Sequence, residues 1–427
     1  MTSQTGRLAP AAVTAVTAAS AYTPRERKLI LTFAIIGALI ESMELNLLSF
    51  PLRDLAGSFA VTNQAVVGVI TLQSVASIAG GLLFGWLADR HGRKLTYVAF
   101  TALYSVAAVV GGFITDFGVF TASRVVAGLA MGGAFGVIFA MFAESWRSPK
   151  RGLMGAVLQG MFIAGTLITQ LVLYITISTL GSDSGWRAGF VGIGVGCLLI
   201  AGTAAIWLPE SKLWQAARSA PRRSEDGAAR VRPDAALVRG GLFLTLCTTG
   251  VFAASYSYIT FAPTFLREVA GASLTTSTLV LTVGTLLGIA SYLVAGALSD
   301  RVGRRKATLG AGVVGVLGFG AFALLASGSP QLAIVALMGP AIGYAGFGVL
   351  GTWISEYYPT RFRAFGSGAT YYVARGIGSG LFPLAALAIA GGDLRIALTL
   401  GGVGAVVGLV GCLFVPDTAN KIISADR

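Results

Sequence analysis

Two loops of nearly identical sequence decide the fold of this chain. Residues 85–94 read GWLADRHGRK and residues 296–306 read GALSDRVGRRK, and their aspartates, Asp89 and Asp300, are 211 positions apart. A second pair, ESWRSPKRG at 144–152 and EYYPTRFRA at 356–364, recurs at a spacing of 212. A third pair ends each half, with WLPES at 207–211 and FVPDT at 414–418. Three motifs at nearly one spacing predict two halves of similar structure.

The composition places this duplicated chain in a membrane. Of its 427 residues, 55% are hydrophobic and only 11% are charged, against about 25% charged in an ordinary soluble domain. These values, with a mean hydropathy of +0.78, exclude a soluble enzyme, a disordered chain and a coiled coil. Twelve windows of about 20 apolar residues predict twelve transmembrane helices. We therefore expect an all-α membrane protein with two six-helix bundles.

A polar stretch divides the chain between the two sets of six windows. Residues 209–239 are rich in Arg, Ala, Ser and Pro, and we expect them to form a cytoplasmic linker. Residues 25–208 would then form the N-terminal bundle, and residues 240–427 the C-terminal bundle with a short cytoplasmic tail. Residues 1–24 are rich in Ala and Thr, and we expect a disordered cytoplasmic tail there.

The positions of the Lys and Arg residues predict the orientation in the membrane. Of the 31, 25 lie in the two tails or in the loops after helices 2, 4, 6, 8 and 10, and four lie in the opposite loops. Basic loops remain in the cytoplasm, so both termini are predicted to be cytoplasmic in a multi-pass protein of the cell (inner) membrane. The same distribution relates the net charge of +13 to the orientation of the chain in the lipid bilayer. We therefore expect no nucleic-acid partner.

The repeated loops resemble those of a known family. GWLADRHGRK, with its recurrence at 296–306, is similar to the loop signature of the major facilitator superfamily, and the resemblance covers nearly the whole chain. The ESWRSPKRG and WLPES segments resemble the branch that contains sugar porters, organic anion and cation transporters, aromatic acid:proton symporters and niacin transporters. This resemblance implies a monomeric secondary transporter that works by alternating access. The sequence shows no nucleophile–base pairing and no metal-ligand spacing, so we expect no enzyme, no cofactor and no metal.

The resemblance also implies that the charged loop residues latch the two bundles together on the cytoplasmic side. An acid at the C-terminal end of its own helix faces an unfavourable dipole, so it needs a neighbouring arginine or the N-terminus of another helix. We expect further ion pairs between Glu144 and Arg151 and between Glu356 and Arg363. The alternative is that these charges only fix the topology. The predicted gate comprises Asp89, Arg93, Glu144, Arg151, Asp300, Arg304, Glu356 and Arg363.

Charged side chains inside the membrane are costly and are therefore functional candidates. Glu41 and Glu44 lie in the middle to outer half of helix 1, and their i, i+3 spacing puts them on one helix face. Two like charges that close cannot both ionise easily, so we predict that one of them carries a proton. The alternative is that arginines neutralise both acids and that the pair serves the structure alone. Arg124 lies in a segment that resembles a helix 4 motif of the family, and it would couple protonation to substrate binding. The alternative is that Arg124 is a simple counter-ion for either acid.

Arg375 is the second membrane arginine, about 16 Å into helix 11. The stretch from Tyr371 to Gly376 resembles helix 11 of the organic anion transporters, in which an arginine faces an anionic substrate. A guanidinium can donate two parallel hydrogen bonds to a carboxylate, and the neighbouring tyrosines could stack on an aromatic ring. The alternative is an ion pair between helices. The predicted substrate-binding residues are Arg375, Tyr371, Tyr372, Tyr256 and Asn46, the last from a helix 1 stretch that resembles niacin and aromatic acid transporters.

These residues together predict a proton-coupled symporter that imports a small organic anion, with an aromatic or heteroaromatic monocarboxylate as the expected substrate. The proton-coupling residues would be Glu41, Glu44 and Arg124. The alternative is a sugar or polyol carrier, or an exporter of drugs or organic cations. Arg375 argues against a cationic substrate because its charge would repel one.

Overall fold

The computed structural model describes residues 22–146, 149–219, 234–326, 328 and 330–419. Within these ranges, twelve helices are long and apolar enough to cross a membrane. They are α1 Pro24–Asn46, α2 Ala65–His91, α3 Arg93–Gly111, α4 Phe117–Ser145, α5 Arg151–Leu180, α6 Ser182–Trp207, α7 Ala235–Val269, α8 Leu279–Val302, α9 Arg304–Leu325, α10 Gln331–Tyr357, α11 Thr360–Ile389 and α12 Leu394–Leu413.

The two halves share three helix pairings, as the duplicated motifs predict. In the N-terminal bundle α1 packs on α5, α2 on α4 and α3 on α6. In the C-terminal bundle α7 packs on α11, α8 on α10 and α9 on α12, and α7 also packs extensively on α12. The bundles meet where α11 crosses α2 and α4, and where α5 crosses α8 and α10. Three helices from each half therefore form most of the interface between the bundles: α2, α4 and α5 on one side and α8, α10 and α11 on the other.

Glycine makes the sharp turn at the end of each repeated loop. Gly92 separates α2 from α3 with φ of +109°, and Gly303 separates α8 from α9 with φ of +99°. This region of backbone space favours glycine because other residues clash there. A side chain at either position would also collide with an acid, Glu210 in the first half and Asp417 in the second. The glycine of the repeated motif is thus required by both its backbone and its neighbours.

Helix α11 changes its winding in the middle of the molecule. It begins with a 3₁₀ turn at Thr360–Phe362, continues as an α-helix over Arg363–Arg375, and then widens into a π-helix over Gly376–Leu381. A regular segment, Phe382–Ile389, completes it. The π turn follows Arg375 directly, and such turns within α-helices occur frequently at functional sites. The local winding therefore marks the position of this arginine.

The predicted tail and linker lie partly outside the described residues, which omit 1–21, 220–233 and 420–427. The part of the tail that is described is ordered, since Tyr22 is buried and Thr23 caps α1. Within 209–239, a short helix spans Lys212–Ser219 and α7 already begins at Ala235. A second short helix, Leu52–Ser58, follows α1 on the opposite side of the bundle.

Candidate functional site

The predicted gate residues form two clusters where the bundles meet. We call this side of the molecule the terminal face, because Tyr22 and Thr418, near the two described chain ends, lie there. In the first cluster Arg93 holds Glu144 through two hydrogen bonds of 3.2 and 2.9 Å, and Arg363 reaches the same carboxylate at 2.8 Å from the other bundle. All three side chains are almost fully buried. Two arginines therefore neutralise one buried acid across the interface.

The second cluster repeats this arrangement with the bundles exchanged. Arg304 donates hydrogen bonds of 3.2 and 3.1 Å to Glu356, and Arg151 of the N-terminal bundle reaches Glu356 at 2.9 Å. Each glutamate also accepts a hydroxyl hydrogen bond, from Ser211 to Glu144 and from Thr418 to Glu356. The two clusters are related by the internal duplication of the chain.

Each of the two repeated aspartates has an arginine partner and also faces the N-terminus of another helix, although either partner alone would offset the dipole of its own helix. Asp89 accepts backbone N–H groups of Ala364 and Phe365, at 3.2 and 2.9 Å, near the start of α11 in the other bundle. Asp300 accepts those of Gly152 and Leu153, at 2.6 and 3.0 Å, at the start of α5. Each acid also pairs with its neighbouring arginine, Arg93 at 3.1 Å and Arg304 at 2.8 Å. A carboxylate at a helix N-terminus is favourable, so these contacts hold the bundles together.

The structure corrects the expected pairing of the loop glutamates. Glu144 pairs with Arg363 and Glu356 with Arg151, so each pair crosses between the bundles and does not form within one motif. The reason is that α5 and α11, which begin at these arginines, pack against the opposite bundle. Their first side chains therefore face the acid of the other half, which no spacing within one motif can reveal.

Sequence reasoning assigned no role to the third repeated motif, whose acids cap helices beside the clusters. Glu210 accepts the backbone N–H groups of Arg93 and Lys94, at 2.9 and 3.2 Å, at the start of α3. Asp417 does the same for α9, with Arg304 at 3.1 Å. Burial raises the pKa of the Glu210 carboxyl above its ordinary value, although these hydrogen bonds oppose the shift. The recurrence of WLPES as FVPDT was the available signal.

The membrane acid Glu44 is paired within its own bundle. Its Oε1 lies 3.0 Å from Nη1 of Arg124, and both side chains are buried. Arg124 also donates to the carbonyl oxygen of Ala107 and lies near the rings of Phe120 and Phe190, with its guanidinium carbon 5.6 and 5.4 Å from their centroids. The sequence allowed either acid as the partner of Arg124, and in the structure Arg124 pairs with Glu44. This pair lies entirely within the N-terminal bundle.

The other membrane acid, Glu41, faces the C-terminal bundle. Its Oε1 accepts a 2.9 Å hydrogen bond from the Tyr372 hydroxyl and lies 3.7 Å from Nη1 of Arg375. That distance is an ion pair without a hydrogen bond, and no described residue hydrogen-bonds this buried nitrogen. We call Glu41, Tyr372 and Arg375 the midplane cluster. It joins a carboxylate of one bundle to a cation of the other.

Tyr371, next to the midplane cluster, already stacks on an aromatic side chain of the other bundle. Tyr371 stacks on Phe135 of α4 with 3.6 Å between the ring centroids and an interplanar angle of 7°. Phe252 of α7 meets the same ring edge-on at 5.2 Å. Tyr371 therefore cannot offer its stacked face to a ligand in this conformation. Tyr256, also on α7, is only half-buried and is the more accessible of the two rings.

Asn46 is held by polar groups at the end of α1. Its Nδ2 donates 2.8 and 3.0 Å hydrogen bonds to the Ser42 carbonyl and to Oγ1 of Thr166, and Ser42 and Thr166 are also hydrogen-bonded to each other. The structure thus places Asn46 in a polar contact between α1 and α5. Among the described residues, no group of His, Cys, Asp and Glu could hold a metal ion.

Known proteins show similarity to this chain in both sequence and fold. The family model "Major Facilitator Superfamily" matches residues 30–383 and 244–425. The "Probable 4-methylmuconolactone transporter" of Cupriavidus pinatubonensis is 27% identical over 352 residues, which cover 81% of this chain and 79% of that protein. The "Cis,cis-muconate transport protein" of Acinetobacter baylyi is 25% identical over 402 residues, with coverages of 91% and 94%.

Among solved structures, the proton:xylose symporter XylE superposes with a TM-score of 0.77 over 93% of this chain and 97% of that one. At 18% identity this likeness shows the fold alone. The sequence relatives also include the "Niacin transporter NiaP" of Acinetobacter baylyi, 24% identical over 377 residues, with coverages of 80% and 82%. These relatives fall in the aromatic acid, niacin and organic anion branch, as the loop motifs suggested. With twelve membrane-spanning helices in two repeated bundles and a match to the family model over most of its length, the chain belongs to the major facilitator superfamily and is a transport protein, not an enzyme.

Proposed function

We propose that this protein is a proton-coupled symporter that imports a small organic anion, with an aromatic or heteroaromatic monocarboxylate as substrate. The observation that carries the proposal is Arg375, a buried cation between the bundles with a nitrogen that no described residue hydrogen-bonds. A buried charge without full compensation is expensive, so a ligand carboxylate that supplies two acceptors would be favoured there. Relatives named for the transport of cis,cis-muconate and niacin support a carboxylate substrate. Muconate is an open-chain dicarboxylate and nicotinate a heteroaromatic monocarboxylate, so the niacin relative supports the finer class.

The two membrane acids supply the proton side of the proposal. Glu41 and Glu44 are each paired with an arginine, so loading a proton changes the balance of charge in the interior. One proton moving with one monoanion is electrically neutral, and the membrane potential would not drive loading. A pH difference of one unit supplies about 1.4 kcal/mol, which is roughly tenfold accumulation.

The gate clusters support a conformation that is closed on the terminal face. The positive-inside bias makes this the cytoplasmic face of the cell (inner) membrane, with both chain ends in the cytoplasm. Inward opening would break the pairs that Glu144 forms with Arg363 and Glu356 forms with Arg151, and would withdraw Asp89 and Asp300 from the opposite helices. We propose that one chain performs the whole cycle as a monomer.

The test is transport in liposomes with a pH-sensitive dye trapped inside. Purified protein is offered benzoate, nicotinate, cis,cis-muconate, a sugar and an organic cation in turn. We expect acidification of the interior with carboxylates only, and loss of that signal in Arg375→Ala. The exposed Asp183→Asn change, on the opposite side of the bundle, serves as the matched control. Uptake of the sugar without a pH change, unaffected by Arg375→Ala, would refute the proposal and favour a sugar or polyol carrier.

A further inference from the structure

The two membrane acid–arginine pairs differ in which parts of the molecule they join. Glu44 and Arg124 belong to the same bundle, with a contact of 3.0 Å and further support for the arginine from Ala107. A rigid rotation of one bundle against the other leaves this pair unchanged. Glu41 and Arg375 belong to opposite bundles, so the same rotation must alter their contact.

The Glu41–Arg375 contact is also incomplete. At 3.7 Å the Glu41 carboxylate is too far to hydrogen-bond Nη1 of Arg375, and no other residue in the described part of the chain does so, whereas Arg124 hydrogen-bonds Glu44. Arg375 is only 5% exposed, so water cannot freely complete its shell. A buried guanidinium in this state binds a better-placed carboxylate in preference to a distant one.

Tyr372 is arranged so that Glu41 can leave without stranding a polar group. Its hydroxyl has one proton but two acceptors within reach, Glu41 at 2.9 Å and the carbonyl oxygen of Met131 at 2.6 Å. The backbone N–H of Phe135 donates to the same hydroxyl at 3.3 Å. When Glu41 withdraws, Tyr372 retains both a donor and an acceptor.

We propose that Glu41 is an internal competitor for the substrate, occupying Arg375 between cycles and yielding it when it takes up the transported proton. The proposal rests on the proposed function and adds which acid is coupled to binding. In this step a proton from the outer solution forms an O–H bond on the Glu41 carboxylate, and the neutral acid no longer attracts Arg375. The substrate carboxylate then takes the arginine, so one proton and one anion enter together.

Among the residues that the structure describes, few ionisable groups face Glu41. Arg375, Tyr371 and Tyr372 face it from α11, and Tyr256 approaches Arg375 from α7. Near Glu41, helix α4 presents Met131 and Phe135, and α5 presents Thr166 and Thr169 to α1. The side chains of these four residues carry no group that titrates in the neutral range. Glu44, one turn along α1, has its own arginine.

The test measures equilibrium binding of radiolabelled benzoate and nicotinate to the purified full-length protein at several pH values between about 6 and 8. For the wild type, apparent affinity should fall as the pH rises, by up to about tenfold per unit, because binding takes up one proton. Glu41→Gln cannot compete for Arg375, so its affinity should be independent of pH and, at the alkaline end, at least about tenfold higher than that of the wild type. Asp183→Asn, at an exposed carboxylate near the start of α6, is the control and should keep the wild-type slope.

The outcomes separate this inference from the proposed function. If the wild type binds no carboxylate, or if Arg375→Ala binds as well as the wild type, the proposed function fails and the inference with it. If Arg375→Ala abolishes binding while Glu41→Gln keeps the wild-type slope or binds nothing, only the inference is overturned.

A shorter acid covers the case in which Glu41→Gln does not fold. Glu41→Asp retains the charge but reaches less far toward Arg375, so it should keep a pH slope and bind the anion more tightly than the wild type at the alkaline end. An affinity equal to or below that of the wild type would overturn the inference.

Discussion

Replacing Asp89 by asparagine should weaken the closed state of the terminal face. This carboxylate is only 9% exposed and accepts two backbone N–H groups of α11 across the interface, at 3.2 and 2.9 Å, while it pairs with Arg93. Asparagine keeps one acceptor oxygen but loses the charge, and a hydrogen bond to a charged group contributes about 1.5–3 kcal/mol. We expect the closed state to lose about 2–3 kcal/mol relative to the inward-open state, a shift of roughly 30- to 150-fold in their ratio.

Spin labels on the two bundles can measure this shift. His91→Cys and Arg301→Cys place one label at the exposed end of α2 and one at the corresponding end of α8. Because the three native cysteines are buried, they should react slowly with the spin label; they are Cys197, Cys247 and Cys412. Pulsed electron–electron double resonance should show a larger fraction of molecules with a long distance between the labels in Asp89→Asn than in the wild type.

The internal duplication provides a second variant and the surface provides a control. Asp300→Asn should open the same face by a similar amount, because Asp300 accepts N–H groups from α5 in the equivalent way. Asp183→Asn removes an exposed pair with Arg187 and should leave the distances unchanged. Unchanged distributions in both Asp89→Asn and Asp300→Asn would refute the reasoning that these aspartates hold the bundles together.

Two further predictions concern stability and use matched variants. Gly92→Ala should lower the melting temperature, with a cost of about 1–3 kcal/mol, because φ is +109° and the new methyl group meets Glu210. Gly310→Ala, in an open helical position, is the control. Equal melting temperatures of the two variants would contradict the argument. Trp186→Ala should cost about 3–5 kcal/mol of stability, because this side chain is fully buried among aromatic rings and its Nε1 donates a 2.8 Å hydrogen bond to Oγ of Ser58. Trp207 is exposed, so Trp207→Ala should cost far less in the same thermal assay. Comparable losses would count against the packing argument.

Much of the architecture was available from the sequence because it depends on local properties. Apolar windows of membrane length predict helices wherever the bilayer is the solvent, and the duplicated motifs predict the similar packing of the two halves. The dipole argument for Asp89 and Asp300 is equally local, and the structure places both at the N-termini of helices in the opposite bundle. The glycine in each motif follows from the turn that only its backbone allows.

The candidate site was predictable in its members but not in its connections. A charge inside a membrane segment is conspicuous in any sequence, so Glu41, Glu44, Arg124 and Arg375 could be named at once. Which acid pairs with which arginine depends on the rotation and crossing of helices from distant parts of the chain. The stack of Phe135 on Tyr371 depends on the same geometry and removes a ring face that the sequence left available.

The sequence by itself determined the membrane class, the twelve spans, the duplication and the identity of the charged residues, because each is a property of short segments. Only the tertiary structure decided that Glu144 pairs with Arg363, that Glu356 pairs with Arg151, and that Glu41 faces Arg375. The physical reason is that these contacts join two bundles far apart in sequence, and their partners are set by how the helices of one bundle pack against the other.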